Sequence, residues 1–395
     1  MRLALKCRFF AAAHGLLPLW LALAGLAAQA EALIVSAEGT PMSLQAALEI
    51  AQDGDIIELL PGVYRNGPVV LVNRQLTFRG VGKRPVVRGE DELGPKAGLW
   101  TVRGGRVLIE NIEFRGARGQ DASAAGIRHE GGSLTVRNSA LYDNEHGIYS
   151  APDSAAVLVI EDTQFGLAPR IEGGLPHLLN VGRIARLSVQ GSRFQAGFEG
   201  HMIKSRAAES FIGYNLLHDG NTGGSSYEID LPIGGVATVI GNIIGQSPRG
   251  QNPVLIAYGS EGSSSPWPRN ALYVAHNTLI NNSLLPAWFL RTWRDRLPEG
   301  NEVVVVNNLV VGPGLFRLGA SGYFAGNRPA TSGMLADAAT YAFELPPDSF
   351  WRGSGIDPRN VNGVDLAPKA EFDWPMGRKP IPTERSGWSP GAFQK

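Results

Sequence analysis

Apolar and polar residues alternate in short runs that recur along most of the chain. "VLIENIEF" (107–114), "LTVRNSAL" (134–141), "LVIEDTQF" (158–165) and "LSVQGSRF" (187–194) share one pattern, as do "FIGYNLLH" (211–218), "TVIGNIIG" (238–245), "LYVAHNTL" (272–279) and "VVVVNNLV" (303–310). In each, two apolar residues alternate with polar ones, then comes Asn, Asp, Gly or His, then an apolar residue three further on. The marked positions are Asn111, Asn138, Asp162, Gly191, Asn215, Asn242, His276 and Asn307, spaced by 27, 24, 29, 24, 27, 34 and 31 residues. Alternation of period two predicts strands with one face on a core. A repeat in the twenties to low thirties predicts three short strands and their turns per unit. The expected architecture is an all-β solenoid, a single-stranded right-handed parallel β-helix. Asn suits the recurring turn because it tolerates left-handed backbone and bonds to its neighbours on adjacent coils.

The ends agree with this pattern. "SLQAALEIAQ" (43–52) predicts a short amphipathic helix with Ser43 as N-cap, followed directly by a strand and turn, "GDIIELLPGVYR" (54–65). Such a helix is expected to cap the open end of the solenoid and hide strand edges from other chains, so a monomer is expected. After residue 312 the repeat gives way to a segment rich in Pro and Gly. The predicted organisation is therefore a leader over 1–30, the capped β-helix over 31–312, and a C-terminal cap over 313–395 that runs back along the helix.

The leader is read from Arg2, Lys6 and Arg8, the apolar "GLLPLWLALAGLAA" and the small-x-small ending Ala28-Gln29-Ala30. Together they predict a secretory signal peptide cut after Ala30, and a periplasmic or secreted protein. No later segment has enough uninterrupted apolar residues to span a membrane. Cys7, the one cysteine, lies in the leader, so disulfides and a thiolate nucleophile are excluded from the mature chain. Removing Arg2, Lys6 and Arg8 from 36 Lys+Arg leaves 33 against 36 Asp+Glu. This balance argues against nucleic acid as the partner, and an anionic ligand needs a local cationic site.

Equivalent residues on neighbouring coils lie about 4.8 Å apart, so repeat spacing predicts contact. Aligning "AGIRH" (125–129), "HGIYS" (146–150), "HLLNV" (177–181), "HMIKS" (201–205) and "SYEID" (226–230) turns one apolar residue of each inward. The next residue then faces outward, giving a column of Arg128, Tyr149, Asn180, Lys204 and Glu228. In this register Arg206 stacks over Asp230, and His146, His177 and His201 form a row. An exposed ladder of ion pairs, each worth about 0–1 kcal/mol, accounts for any single pair. The whole strip offers more hydrogen-bonding and titrating groups than a solvated face requires. A histidine-held metal is disfavoured, because neighbouring coils keep the rings parallel and Lys204 repels a cation.

Glu199, five residues before Lys204-Ser205, together with "FIGYNLLHDG" after it, resembles polysaccharide lyase family 6, which includes the alginate lyases and chondroitinase B. More broadly, the chain looks like the secreted bacterial, pectin-lyase-like β-helix proteins. The family-6 resemblance implies Lys204 as catalytic base, calcium held partly by Glu199, and an assisting arginine on the next coil. Gly197 stands where that family has a second calcium-binding acid, and "SSYEIDL" carries acids where it has the arginine. Apart from that calcium, no cofactor is expected.

The expected partner is an acidic polysaccharide, and the expected reaction is β-elimination or C5 epimerisation at a uronate. That chemistry needs a cation at the carboxylate, a base near C5 and an acid for the leaving oxygen. Arg206, with Arg128, would hold the carboxylate, and Lys204 would act as base. Tyr149 or His201 would serve as acid, with His146, His177 and Asn180 binding substrate. Two alternatives stay open: glycoside hydrolysis by Glu228 and Asp230, or a glycan-binding β-helix without catalysis.

Overall fold

A computed structural model describes residues 32–65, 67–171, 173–316, 321–384 and 387–394. The predicted leader, with its cleavage site at Ala30, lies outside these residues. Among them, no helix is long and apolar enough to cross a membrane.

The chain forms a parallel β-solenoid in which each coil gives one strand to each of three ladders. The ladder that matters most here begins in the N-terminal halves of Val69–Gly80 and Gly98–Glu110. It continues through Ala125–His129, His146–Ser150, Leu179–Val181, Ile203–Ser205, Ile229–Leu231, Val254–Tyr258, Ala287–Thr292 and Gly314–Leu315. A second ladder runs from Ala32–Val35 to Tyr323–Ala325, and a third from Val63–Tyr64 to Arg328–Ala330. The last parallel strands thus fall beyond residue 312, inside the segment that the sequence assigns to the C-terminal cap.

Inward positions stack like on like. Ile127, Ile148, Leu179, Ile203, Ile229, Ile256 and Leu290 follow one another in register, all fully buried. Each side chain so buried contributes about 1.5–3 kcal/mol, and the column recurs on every coil. Aromatic residues fill the wider parts of the interior. Trp100 packs edge-on to Phe78 and Phe114 at 4.7 and 5.1 Å, and Phe165 stacks on Phe194 at 4.5 Å.

The recurring turn has two columns, one residue apart. Asn111, Asn138, Asp162, Gly191, Tyr214, Gly241, His276 and Asn307 take positive φ. The residue after each points inward, where backbone N–H groups at the corner lack strand partners. There Ser139, Thr163, Ser192, Asn215, Asn242, Asn277, Asn308 and Asn327 supply side-chain oxygens to the preceding coil. From Asn215 to Asn327 the amides also bond to one another, Nδ2 to Oδ1, at 2.9–3.0 Å. Asn215 and Asn242 therefore belong to the internal ladder, not to the left-handed column in which the sequence alignment put them. Tyr214 and Gly241 hold that place, and a tyrosine at a left-handed turn is not a residue the pattern suggests.

At the N-terminal end, the helix Leu44–Ile50 starts at Ser43, whose hydroxyl accepts the Ala46 N–H at 3.2 Å, and it buries Leu44 and Ala47 in the core. Beyond Ala330 the chain folds back over the solenoid. Phe343, Leu345 and Phe372 cover Leu216, Ile243, Ile280 and Leu309, while Val361 and Leu366 join Tyr214, Ile240 and Tyr273. Arg378 reaches Gln190 at 2.9 Å and Glu161 at 3.3 Å.

Candidate functional site

The outward column of the first ladder reads Thr101, Arg128, Tyr149, Asn180, Lys204, Asp230, Ala257 and Arg291. Up to Lys204 this is the predicted column. One coil on, the acid beneath Lys204 is Asp230, not Glu228, because the coil is 26 residues long and not 24. The extra length lies in a turn. Phe194 to Ile203 takes nine residues, whereas the equivalent Leu217 to Ile229 takes twelve. Asp219 pins that longer turn by accepting the N–H groups of Gly197 and Ser225 at 2.9 and 2.7 Å.

The shift moves Glu228 out of the site. It takes the place of Met202 on the preceding coil and Leu255 on the next, both fully buried core residues. Neither of its carboxyl oxygens has a hydrogen-bond partner, and burial pushes the group well above the usual carboxylate range, with nearby Asp219 adding to the effect. A neutral acid sealed in the core binds no substrate, which removes Glu228 both as a substrate ligand and as one of a hydrolytic pair.

The three histidines do stack. Ring centroids of His146 and His177 lie 5.6 Å apart and those of His177 and His201 4.8 Å apart, and Tyr227 extends the row 4.8 Å beyond His201. Backbone geometry fixes each ring. The N–H of His177 donates to His146 Nδ1 at 3.3 Å, that of His201 to His177 Nδ1 at 2.8 Å, and that of Tyr227 to His201 Nδ1 at 3.2 Å. An Nδ1 that accepts leaves the proton on Nε2 in a neutral ring. Burial pushes His146 down to about 4 and His201 to about 3, where the Lys204 charge works the same way, and it drives His177 well below the usual range. Near neutral pH His201 therefore has no imidazolium proton to give, which counts against its predicted role as the acid. It is a hydrogen-bond donor through Nε2, 3.5 Å from Asp230 Oδ2.

Lys204 sits at the centre. Its ammonium lies 3.5 Å from Asp230 and 2.9 Å from Glu261, and Arg206 grips the same Glu261 carboxylate through two nitrogens at 2.8–3.3 Å. Ser260 donates to Asp230 at 3.2 Å. The Asp230 side chain is 2% exposed against 13% for Lys204, so the lysine is the member that reaches the surface. Burial pushes the Asp230 carboxyl up to about 6, against the opposing pull of Lys204. For Glu261 burial also acts upward, but hydrogen bonds from Lys204 and Arg206 outweigh it and leave the group below its ordinary value.

Further along the column, Arg128 lies over the Tyr149 ring at 4.6 Å and bonds Glu130 at 2.6 Å, and Asn180 is half-buried between Tyr149 and Lys204. Glu199 occupies a left-handed turn, half-buried, its backbone N–H bonded to Gly224. Among the described residues no group of three or more His, Cys, Asp and Glu side chains is set to hold a metal ion. The calcium implied for Glu199 thus gains no further ligand from this arrangement. A concavity of about 590 Å³ lies elsewhere, on the second ladder around Val159, Ser188 and Phe211, and contains none of these groups.

The solenoid is similar in fold to a solved pectate lyase. Pectate lyase Pel9A superposes with a TM-score of 0.62 over 92% of this chain and 96% of its own, at 14% identity. A mutant of the PL6 family alginate lyase AlyGC aligns over 87% of this chain and 60% of its own at the same identity, with a TM-score of 0.34. No family model and no curated protein sequence matches the chain. The likeness to Pel9A establishes a shared β-helix.

Two participants escaped the sequence reading. Glu261 comes from the irregular segment after Tyr258, 57 residues beyond Lys204, where no repeat marks position. Arg291 stands two coils past Asp230, in a strand beyond the five aligned by their spacing. "NPVLIAYGSEG" was the signal available for Glu261, since it continues the ladder and carries an acid between Ser260 and Gly262.

Proposed function

We propose that this protein acts on an acidic polysaccharide and removes the C5 proton of a uronate, leading to β-elimination or to C5 epimerisation. The observation that carries the reading is the Lys204–Asp230 pair, buried at its acidic end and open at its basic end, beside the guanidinium of Arg206. Burial raises Asp230 toward accepting a proton, and its carboxylate lies 3.5 Å from the Lys204 nitrogen, placed to take a proton from it. The free amine of Lys204 then takes the C5 proton. In elimination the electron pair of that C–H bond forms the C4–C5 double bond, the C4–O bond breaks, and the leaving oxygen takes a proton from Lys204 or Tyr149. In epimerisation Lys204 keeps the proton it took, and a second donor, Tyr149 or a water molecule, delivers another to C5 from the other face. Arg206 supplies the planar fork that neutralises the uronate carboxylate.

Glu261 fits this reading as the present occupant of the carboxylate seat, held by Arg206 and Lys204 together. Its side chain is 44% exposed, so a uronate can displace the carboxylate toward solvent. Asn180, His177 and His146 would line the path of the next sugars, with Arg128 at the far end. Export to the periplasm or outside the cell, predicted from the leader, is where such polysaccharides are met.

The test is incubation of the mature protein with polyuronates while following the near-ultraviolet absorbance of the unsaturated product. A rise that Lys204→Ala abolishes supports elimination, and proton exchange at C5 without that rise supports epimerisation. A second reading, hydrolysis, is favoured by the opposite shifts of Asp230 and Glu261, one raised and one lowered, the pattern of an acid and its partner base. New reducing ends without the absorbance rise would select it. Binding with neither product would leave a glycan-binding β-helix.

A further inference from the structure

We infer that Arg291, set between Trp288 and Trp293, forms a second carboxylate-recognising subsite on the face that carries Lys204, for a uronate further along the same glycan. The inference rests on the acidic-glycan reading and extends it to a part of the ladder outside the predicted site.

Register places the residue. Asp230 pairs with Ala257 and Ala257 with Arg291, so Arg291 lies two coils from the reacting centre, about 10 Å at the usual strand separation. Ala257 carries only a methyl group and is fully buried, so other atoms of the chain cover the column between the two positions. Ser260, bonded to Asp230, and Glu261, bonded to Lys204, come from the segment that follows Tyr258. Continuing the same register puts Trp288 over Val254 and Val254 over Tyr227, the last ring of the histidine row. The row of rings therefore continues in register from His201 and Tyr227 to Trp288.

The chemistry differs from that at Lys204. Lys204 and Arg206 are both engaged by acids of this chain. The Arg291 guanidinium lies 4.5 Å from the Trp293 ring and 5.8 Å from Trp288, and among the described residues it has no carboxylate partner. It is half-buried, and its charge acts on the Tyr227 hydroxyl, lowering a group that burial raises. A second cation, Arg296, lies 5.8 Å from the Trp293 ring. A planar cation held by indole faces keeps its fork edge free for a bidentate carboxylate. Half-exposed Trp288, Trp293 and Tyr227 offer apolar faces to the C–H side of a sugar ring. A neutral sugar would use only the second feature, whereas a uronate uses both.

The experiment compares binding of uronate tetramers, galacturonate and mannuronate, with binding of their methyl esters, which keep the ring and lose the charge. The wild-type protein should hold at least one free acid about tenfold more tightly than its ester, as one charge-assisted bidentate contact implies. Arg291→Gln should cut that preference severalfold, to what Arg206 contributes, while leaving ester affinity unchanged, and Arg291→Lys should restore part of it. A thermal melt of each variant checks that the fold is intact. An acid-to-ester ratio unmoved by Arg291→Gln, or no binding of either acid by the wild type, overturns the subsite. Binding through Arg291 without turnover would sink the elimination reading and leave the subsite standing. Turnover with an unmoved ratio would do the reverse.

Discussion

Lys204 lies directly over Asp230, one coil below it, with ammonium and carboxylate 3.5 Å apart. The aspartate is sealed and the lysine tip is not. This asymmetry buries the acid of the pair and leaves the lysine nearer the surface.

The first prediction concerns that pair. With Asp230 raised to about 6, a reaction that needs its carboxylate to hold and deprotonate Lys204 loses rate as pH falls below about 6. Asp230→Asn should cut turnover by about 10²–10⁴, the usual worth of a proton-transfer group, and should remove that acidic limb. A pH–rate profile of kcat for both proteins decides it. An unchanged acidic limb in Asp230→Asn would show that another group titrates there.

Acid stability should follow the histidine stack. Burial depresses all three rings, to about 4 in His146, about 3 in His201 and well below the usual range in His177. The unfolded chain binds protons at pH 6.5 that the folded chain refuses, so this stability is complete above 6.5 and is lost as pH falls toward 4. Asp230 acts with the opposite sign, stabilising below its unfolded value and losing that contribution as pH rises through about 6. Every tenfold difference in proton affinity between the folded and unfolded chain is worth about 1.4 kcal/mol. Glu228 and Asp219, also raised by burial, act with Asp230, so the share of the stack is the difference between the wild type and a variant that lacks one ring. His177→Asn keeps an oxygen for the His201 N–H but cannot take a proton, and it should lose less stability than the wild type as pH falls toward 4. Melting curves from pH 7 to 4 give the answer.

Glu228 is predicted to be a stability cost. Its folded value is raised well above 4.5, so above that pH the unfolded chain gains by ionising and the folded chain does not. Glu228→Met copies the Met202 above it and removes two unpartnered oxygens from the core. It should stabilise by about 1–3 kcal/mol at neutral pH, read by denaturant unfolding. A loss of stability of that size would mean the carboxyl has a partner worth keeping.

Asn242 tests the internal ladder. Its amide donates to Ile212 O at 2.8 Å and Asn277 Oδ1 at 2.9 Å, and its oxygen accepts from the N–H and the amide of Asn215. Asn242→Leu strands several of these groups in the interior and should cost about 2–4 kcal/mol, a sum of unsatisfied partners. Chemical denaturation midpoints compared with those of an exposed control, Asn360→Leu, separate the effect from a general loss of asparagine.

Freeing the carboxylate seat should raise affinity. Glu261→Gln removes the charge that engages Arg206 and Lys204, and the variant should bind a uronate tetramer about tenfold more tightly, with a steeper dependence on salt. Titration calorimetry at two ionic strengths measures both. Weaker binding would instead assign Glu261 to the chemistry, in line with the hydrolytic reading.

What the sequence determined by itself is everything set by local periodicity. Alternation of period two made strands, their recurrence made a solenoid, and the repeat was regular enough from Ile127 to Ile203 to align Arg128, Tyr149, Asn180 and Lys204 and to stack three histidines. Tertiary structure decided which acid meets Lys204. Strand patterns do not record how many residues a turn absorbs, and the longer turn after His218 slid the next strand by two. In a strand, a slip of two keeps the alternation and leaves the pattern looking correct. Here the strand also bends at Glu228, so that residue joined the core while Asp230 took its place. Glu261 and Arg291 were decided by folding alone: one lies on an irregular segment, the other two coils away, and only the winding of the chain brings them to the same face.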